Sequence, residues 1–359
     1  MLSANFFAFI RKNNKKSDLF SHFKIENFTA YSFAPTGFDG IGSAITTSGV
    51  IFAYLGLTPI ISSASEVKNP KRNVPLALLL SVLGAAVIYT LLQAAFIGSL
   101  PSSMLQGGWS GVSAQMTLPF RDIALLLGVA WLATIVVADA VVSPTGCGNI
   151  FMHSTSRIVC GWGNKKNGAL SKVDERSGVP RRALWFTFAL SVAWTLPFPS
   201  WEKLVGVVSA ALILSYALAP VSVAALRGKV FERPFKVKCL AVLGPISFFI
   251  ATMLVYWSGW DVMFWLSAGQ ILMFVMYTVT SYKKKSASVI WAEAKSALWI
   301  VVYYAGLMVF TKLKHDGGVN EALLISAMAV FSVAIYLWGA ASLYNAKEPA
   351  MVSPGVVAG

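Results

Sequence analysis

Apolar residues fall in long uninterrupted runs separated by short polar stretches. Nine runs stand out, over residues 44–65, 74–98, 129–158, 183–197, 204–226, 240–257, 262–280, 289–310 and 322–341. A helix needs about 20 apolar residues to cross the roughly 30 Å hydrocarbon layer of a bilayer, and most of these runs meet or approach that length. None alternates with period two, so membrane helices are predicted rather than barrel strands. One run is too long: it is apolar from Ile123 to Ile158, and at 1.5 Å per residue it would exceed about 50 Å. Its first part is predicted to be an interfacial helix.

Composition turns this pattern into a class. Of 359 residues, 56% are hydrophobic and only 12% charged, about half the charged share of a soluble domain, and the mean hydropathy is +0.66. The chain is read as an all-α polytopic membrane protein with about nine transmembrane helices, multi-pass in the plasma membrane.

Charge orients the helices. With the first span running outside to inside, the inner loops carry Lys68, Lys71 and Arg72, then seven cations from Arg157 to Arg182, five from Arg227 to Lys238, and Lys283, Lys284, Lys285 and Lys295. The outer loops carry only Arg121, Lys203, Lys312 and Lys314, as the positive-inside rule requires. These scattered cations account for most of the +14 net charge without a compact basic domain, so no nucleic-acid partner is expected. The segment before the first span disagrees: Arg11, Lys12, Lys15, Lys16 and Lys24 lie outside in this orientation. It has no convincing signal peptide, and the chain is expected to start at an internal point of a longer protein.

The first run is interrupted. Residues 53–75 read AYLGLTPIISSASEVKNPKRNVP, placing Gly56, Thr58 and Pro59 inside apolar sequence. Breakers are tolerated in a membrane helix where the freed backbone groups are buried in protein or line a cavity, and a helix broken at mid-membrane can bind charged groups through its backbone. Residues 52–55 are predicted to end an outer half-helix, Gly56 and Leu57 to unwind, and residues 58–65 to form the inner half. A simple proline kink is the plainer alternative.

FAYLG followed by Glu66, Asn69, Pro70, Arg72 and Pro75 resembles the sixth helix and following loop of the amino acid-polyamine-organocation (APC) superfamily of transporters. SPTGCGNIFMHSTSRI looks like its eighth helix, GALSKVDERSGVPRRAL like the loop after it, and SAALILSYALAPVSVAALR like its tenth. The resemblance covers 51–280 and is nearest in look to aspartate-proton symporters. It implies part of a LeuT-type fold with inverted repeats, from helix six onward and lacking helices one to five. DGIGSAI, at 39–45, is read as a polar lead into the first span rather than as the family's first helix. The chain accordingly divides into a basic tail and polar loop (1–43), transporter core (44–280), two additional helices (281–345) and a cytoplasmic tail (346–359).

By this resemblance Phe52 matches an aromatic that lids the substrate and Gly56 a hinge whose neighbouring carbonyls bind it, with Ala53, Leu55 and Thr58 beside it. Thr145 and Asn149, with Ser143 and Gly146, would face the same cavity; their alternative is polar contact between helices. Asp139 is the one carboxylate well inside an apolar run, costly there unless protonated, paired or functional, and is the candidate proton carrier. Glu66 and Tyr216 are read as gate or structural groups.

Enzymatic chemistry finds no support. Cys147, Cys160 and Cys239 have no paired spacing, His22, His153 and His315 belong to no ligand cluster, and His153-Ser154-Thr155-Ser156 has no acid to orient it. The glycines at 161, 163 and 168 lack the strand and Lys-Ser/Thr of a phosphate loop. No cofactor or metal is expected. The expected partners are an amino-acid substrate, a proton and the lipid bilayer, with the missing helices supplied by an upstream chain. A non-transporting fragment or membrane scaffold is the competing class.

Overall fold

The computed structural model describes residues 23–30, 37–46, 49–62, 67–162, 170–198, 200–227, 239–282 and 287–345. Glu66, the basic residues from Arg11 to Lys16, Lys283 to Lys285 and the 346–359 tail lie outside the described residues. Among those described, the structure is helical and contains no strand.

Among the described residues twelve α-helices follow one another: α1 Gly37–Thr46, α2 Leu57–Ser62, α3 Pro70–Ser99, α4 Gly108–Gln115, α5 Pro119–Leu126, α6 Ala130–Trp162, α7 Arg181–Thr195, α8 Trp201–Leu226, α9 Leu240–Trp257, α10 Trp260–Tyr282, α11 Ala287–Asp316 and α12 Glu321–Asn345. Six of them, α3, α6, α8, α9, α11 and α12, are long and apolar enough to cross a membrane, or seven spans if the bent pair Gly40–Thr46 and Ile51–Ile61 is one. Among the described residues the runs read as spans from the sequence fall largely on helices, apart from the break at 55–56 in the first, but α7 has only 15 residues. The overlong run divides at Gly128, whose φ of +74° is a left-handed conformation that favours glycine, so α5 and α6 are separate helices.

The chain forms two compact units, one of Met1–Pro35 with Gly56–Val192, the other of Thr36–Leu55 with Ala193–Gly359. In the first, the start of α3 shows what the Asn-Pro motif does locally. Asn69 takes φ +51° and ψ +58°, a conformation Asn tolerates better than most residues. Pro70 then sits at N1, where its missing N–H costs nothing, and the Asn69 carbonyl accepts the first helical bonds from the Arg72 and Asn73 amides. At the other end of α3, the 3-10 turn Ile25–Phe28 returns to the helix terminus. Buried Asn27 donates through Nδ2 to the Ile97 carbonyl at 2.8 Å and the Leu100 carbonyl at 3.0 Å. Lys24 adds its amide to the Gly98 carbonyl and its Nζ to Ser102 Oγ at 2.8 Å. These bonds satisfy the carbonyls that every helix leaves without partners at its C-terminus.

Beyond that terminus Leu100, Leu105, Val112, Met116 and Ile123 form a small core, closed by a Phe96–Phe120 ring contact at 5.6 Å. Asp122 caps α5: its Oδ2 accepts from the Thr117 and Leu118 amides at 3.1 and 3.0 Å, and Arg121 pairs with Oδ1 at 2.8 Å. The Leu118 amide, followed by Arg121, holds its carboxyl below the ordinary value. From the sequence, the stretch from Ile123 is read as an interfacial helix and the rest of this cap only as a loop between spans.

The second unit is a packed helical bundle. Its core joins Ala210, Leu214 and Val221 of α8, Phe248 and Val255 of α9, Met263 of α10, Trp299, Tyr303 and Leu307 of α11, and Ile335 and Tyr336 of α12. Glycines let the aromatics in. Tyr336 occupies the space a Cβ on Gly244 would need, Phe331 that of Gly306, and Trp299 approaches within 3.0 Å of the position on Gly339. Buried Thr252 and Tyr303 share a hydrogen bond of 2.9 Å between α9 and α11. The two C-terminal helices, set apart from the transporter core in the sequence reading, therefore share one hydrophobic core with α8 and α9.

Candidate functional site

The interruption lies where the first run predicted it. A 3-10 turn spans Ile51–Tyr54, Leu55 and Gly56 are in neither helix, and α2 starts at Leu57. The unwound pair is thus 55–56 rather than 56–57. Leu55 has φ −86° and ψ 61°, outside helical values, so backbone groups around the break leave the helical ladder. The boundary between the two units falls at the same peptide.

Each candidate residue can be placed within its own unit. Phe52 and Ala53 are exposed, Phe52 at 37%. Leu55 is only 6% exposed and belongs to the second unit's core, so its side chain is committed to packing and only its backbone is open to another role. Tyr216 is partly buried against that same core. In the first unit Gly56 is exposed and Thr58 half-buried, and α2 packs on α6. Thr145, Asn149 and Asp139 lie exposed on α6; the Thr145 hydroxyl donates to the Val141 carbonyl at 2.7 Å, next to Pro144, which interrupts the helical ladder.

Asp139 has a partner. Ser143 Oγ donates to its Oδ1 at 2.5 Å, a bond across one helical turn that the i, i+4 spacing would have revealed. A carboxylate offers about four acceptor sites, so one hydroxyl leaves it far from fully solvated. Asp174 organises the turn after α6. It accepts from Ser177 Oγ at 2.6 Å and pairs with Arg181 at 3.1 Å; the Ser177 hydroxyl first, then Arg181, holds its carboxyl low. Among the described residues no group of three or more His, Cys, Asp or Glu is placed to hold a metal.

A helical protein with several helices long and apolar enough to cross a membrane, a helical stretch interrupted at Leu55–Gly56 and a carboxylate on one of the long helices has the makings of a membrane carrier. Residues 4–310 match the amino acid permease family, and the chain belongs to that family of the APC superfamily, whose members are transporters and not enzymes. The match begins well before the 51–280 region that carried the resemblance and ends beyond it. The chain is 47% identical to the aspartate-proton symporter of Bacillus subtilis (strain 168), over 89% of this chain and 63% of that protein. It is 34% identical to the glutamate/serine transporter AimA of the same organism, over 92% of this chain and 62% of that protein, and 26% identical to the branched-chain amino acid permease BcaP over 68% and 52%. The chain thus spans less than two thirds of the length of these relatives. No solved structure matches it.

Proposed function

We propose that this chain carries out the transport of an acidic amino acid together with a proton, by alternating access, as part of a LeuT-type fold from helix six onward. The observation that carries the reading is the break at Leu55–Gly56 in a chain 47% identical to an aspartate-proton symporter. The relatives at 47% and 34% identity, each matched over about nine tenths of this chain, both carry an acidic amino acid in their names, which favours aspartate or glutamate over an apolar substrate.

In this reading the backbone around Gly56 binds the substrate's charged groups, as half-helix termini do in broken-helix carriers. Phe52 lids the substrate, Ala53, Leu55 and Thr58 flank it, and Thr145 and Asn149 supply polar contacts from α6. Asp139 takes up the proton on the outer side and releases it inward. Protonation removes the charge whose presence at mid-membrane costs roughly 3 kcal/mol, so the loaded and empty carriers differ in what they can bury. Glu66 and Tyr216 act at the gates.

Radiolabelled aspartate uptake into proteoliposomes tests this directly. An inward proton gradient is expected to stimulate uptake at least tenfold, and Asp139→Asn to abolish the stimulation. Uptake indifferent to the gradient would remove proton coupling, and no uptake of aspartate or glutamate at all would remove the reading.

A further inference from the structure

Helix α6 presents a polar stripe longer than the proton site requires. At about 100° per residue, Asp139, Ser143, Gly146, Asn149 and His153 lie within about 120° of one another. From Val137 to Phe151 every residue of the helix is exposed, and so is His153. The opposite face carries Val141, 67% exposed. A valine can face hydrocarbon; a carboxylate, an amide and an imidazole cannot without several kcal/mol of cost each. Ser143 gives Asp139 one hydrogen bond, which leaves most of its acceptor sites in need of water.

We propose that this face of α6 is water-lined from Asp139 to the inner end, and that His153 receives the proton from Asp139 and passes it to the cytoplasm. The inference rests on the proton-coupled reading above and names the route by which that proton leaves. His153 lies 14 residues beyond Asp139, about 21 Å along the helix, so the proton crosses by water between the two groups. The Asp139 carboxyl gives up its proton, the imidazole gains one and loses it to bulk water, and no other reactant is consumed. Imidazole is the side-chain group suited to this exchange at physiological pH.

Few other charges intrude. Of the helices packed on α6, α2 has no titratable residue and α5 has Arg121 and Asp122, which pair with each other at 2.8 Å. On α6 itself Arg157 lies one turn past His153, and Cys147 and Cys160 are its thiols.

Cysteine labelling tests the stripe without any need for transport. In a chain with Cys147, Cys160 and Cys239 changed to serine, G146C, N149C, H153C and V141C are each reconstituted in vesicles. They are then exposed to a charged, water-soluble methanethiosulfonate. The three stripe positions are expected to react at least tenfold faster than V141C, although Val141 too is exposed in the structure. Equal rates, or unreactive G146C and N149C, would mean a face sealed by lipid or protein and would overturn the proposal. Separately, His153→Gln is expected to lower proton-driven aspartate uptake at least fivefold and to erase its dependence on internal pH; an intact dependence overturns the role of His153. Absence of uptake by the unmodified chain overturns the proposed function and the proton's route with it, while the labelling still decides whether the stripe is wet.

Discussion

The two units solve the same problem, stability in lipid, by different means. In the second, between 22% and 50% of the most apolar stretch of each spanning helix (α8, α9, α11 and α12) is buried; in the first the figures are 0% for α3 and 6% for α6. Lipid is as apolar as leucine, so an exposed apolar helix face carries no hydrophobic penalty in a bilayer. Association there must come from close packing and hydrogen bonds, and the second unit has both: aromatics seated on Gly244, Gly306 and Gly339 and the Thr252–Tyr303 bond. The first unit invests in the cap beyond α3 and in the polar face of α6. One unit is built as a bundle, the other as helices whose open faces are available to water, substrate or further helices.

Mutations can break this contrast. Phe248 is fully buried and touches Tyr303 and Tyr336 at ring separations of 5.0 and 6.0 Å. Phe248→Ala is expected to cost about 3 kcal/mol, since the lost contacts leave a cavity, read as a marked fall in Tm in detergent. Asn27→Ala removes two bonds to the end of α3 and leaves the buried Leu100 carbonyl without this donor, for about 1–2 kcal/mol. Its effect should be local, with hydrogen exchange accelerated at residues 97–105 and unchanged in α8 and α9.

Acid should act on the same cap. A carboxyl whose folded value lies below its ordinary 3.8, as that of Asp122 does, contributes stability fully present above that value and lost as pH falls through the folded value. Exchange at Thr117 and Leu118 should therefore rise only below about pH 4, and Asp122→Asn should remove that pH dependence. The smallest effect belongs to α3: Leu83 is 54% exposed, and Leu83→Ala should change Tm by an amount worth less than about 0.5 kcal/mol. A large loss there would show that α3 is packed against a partner after all.

The sequence announced the membrane class because hydrocarbon imposes long apolar runs, and the break because Gly56 and Pro59 have few other uses in such a run. Asp139 stood out for the same reason. What stayed hidden depends on contacts between distant residues. Asn27 is an ordinary asparagine until the chain brings the end of α3, some 70 residues later, to its amide. The cap beyond α3 has no long period, only short helices started by Gly108 and Pro119. That α11 and α12 belong to the α8 and α9 core is written in glycines whose aromatic partners lie on other helices, at spacings no local pattern reveals.

The bonds from Asn27 to the end of α3 also constrain how the chain is threaded. Two groups can share a hydrogen bond only if they lie on one side of the bilayer, so the chain between residues 27 and 97 must cross it an even number of times. One crossing by the broken span and one by α3 meets that parity. Any insertion event that skipped the broken span would leave Asn27 and Ile97 in different compartments. The hook can close only on a correctly threaded chain, and its closure records that the count of crossings came out even.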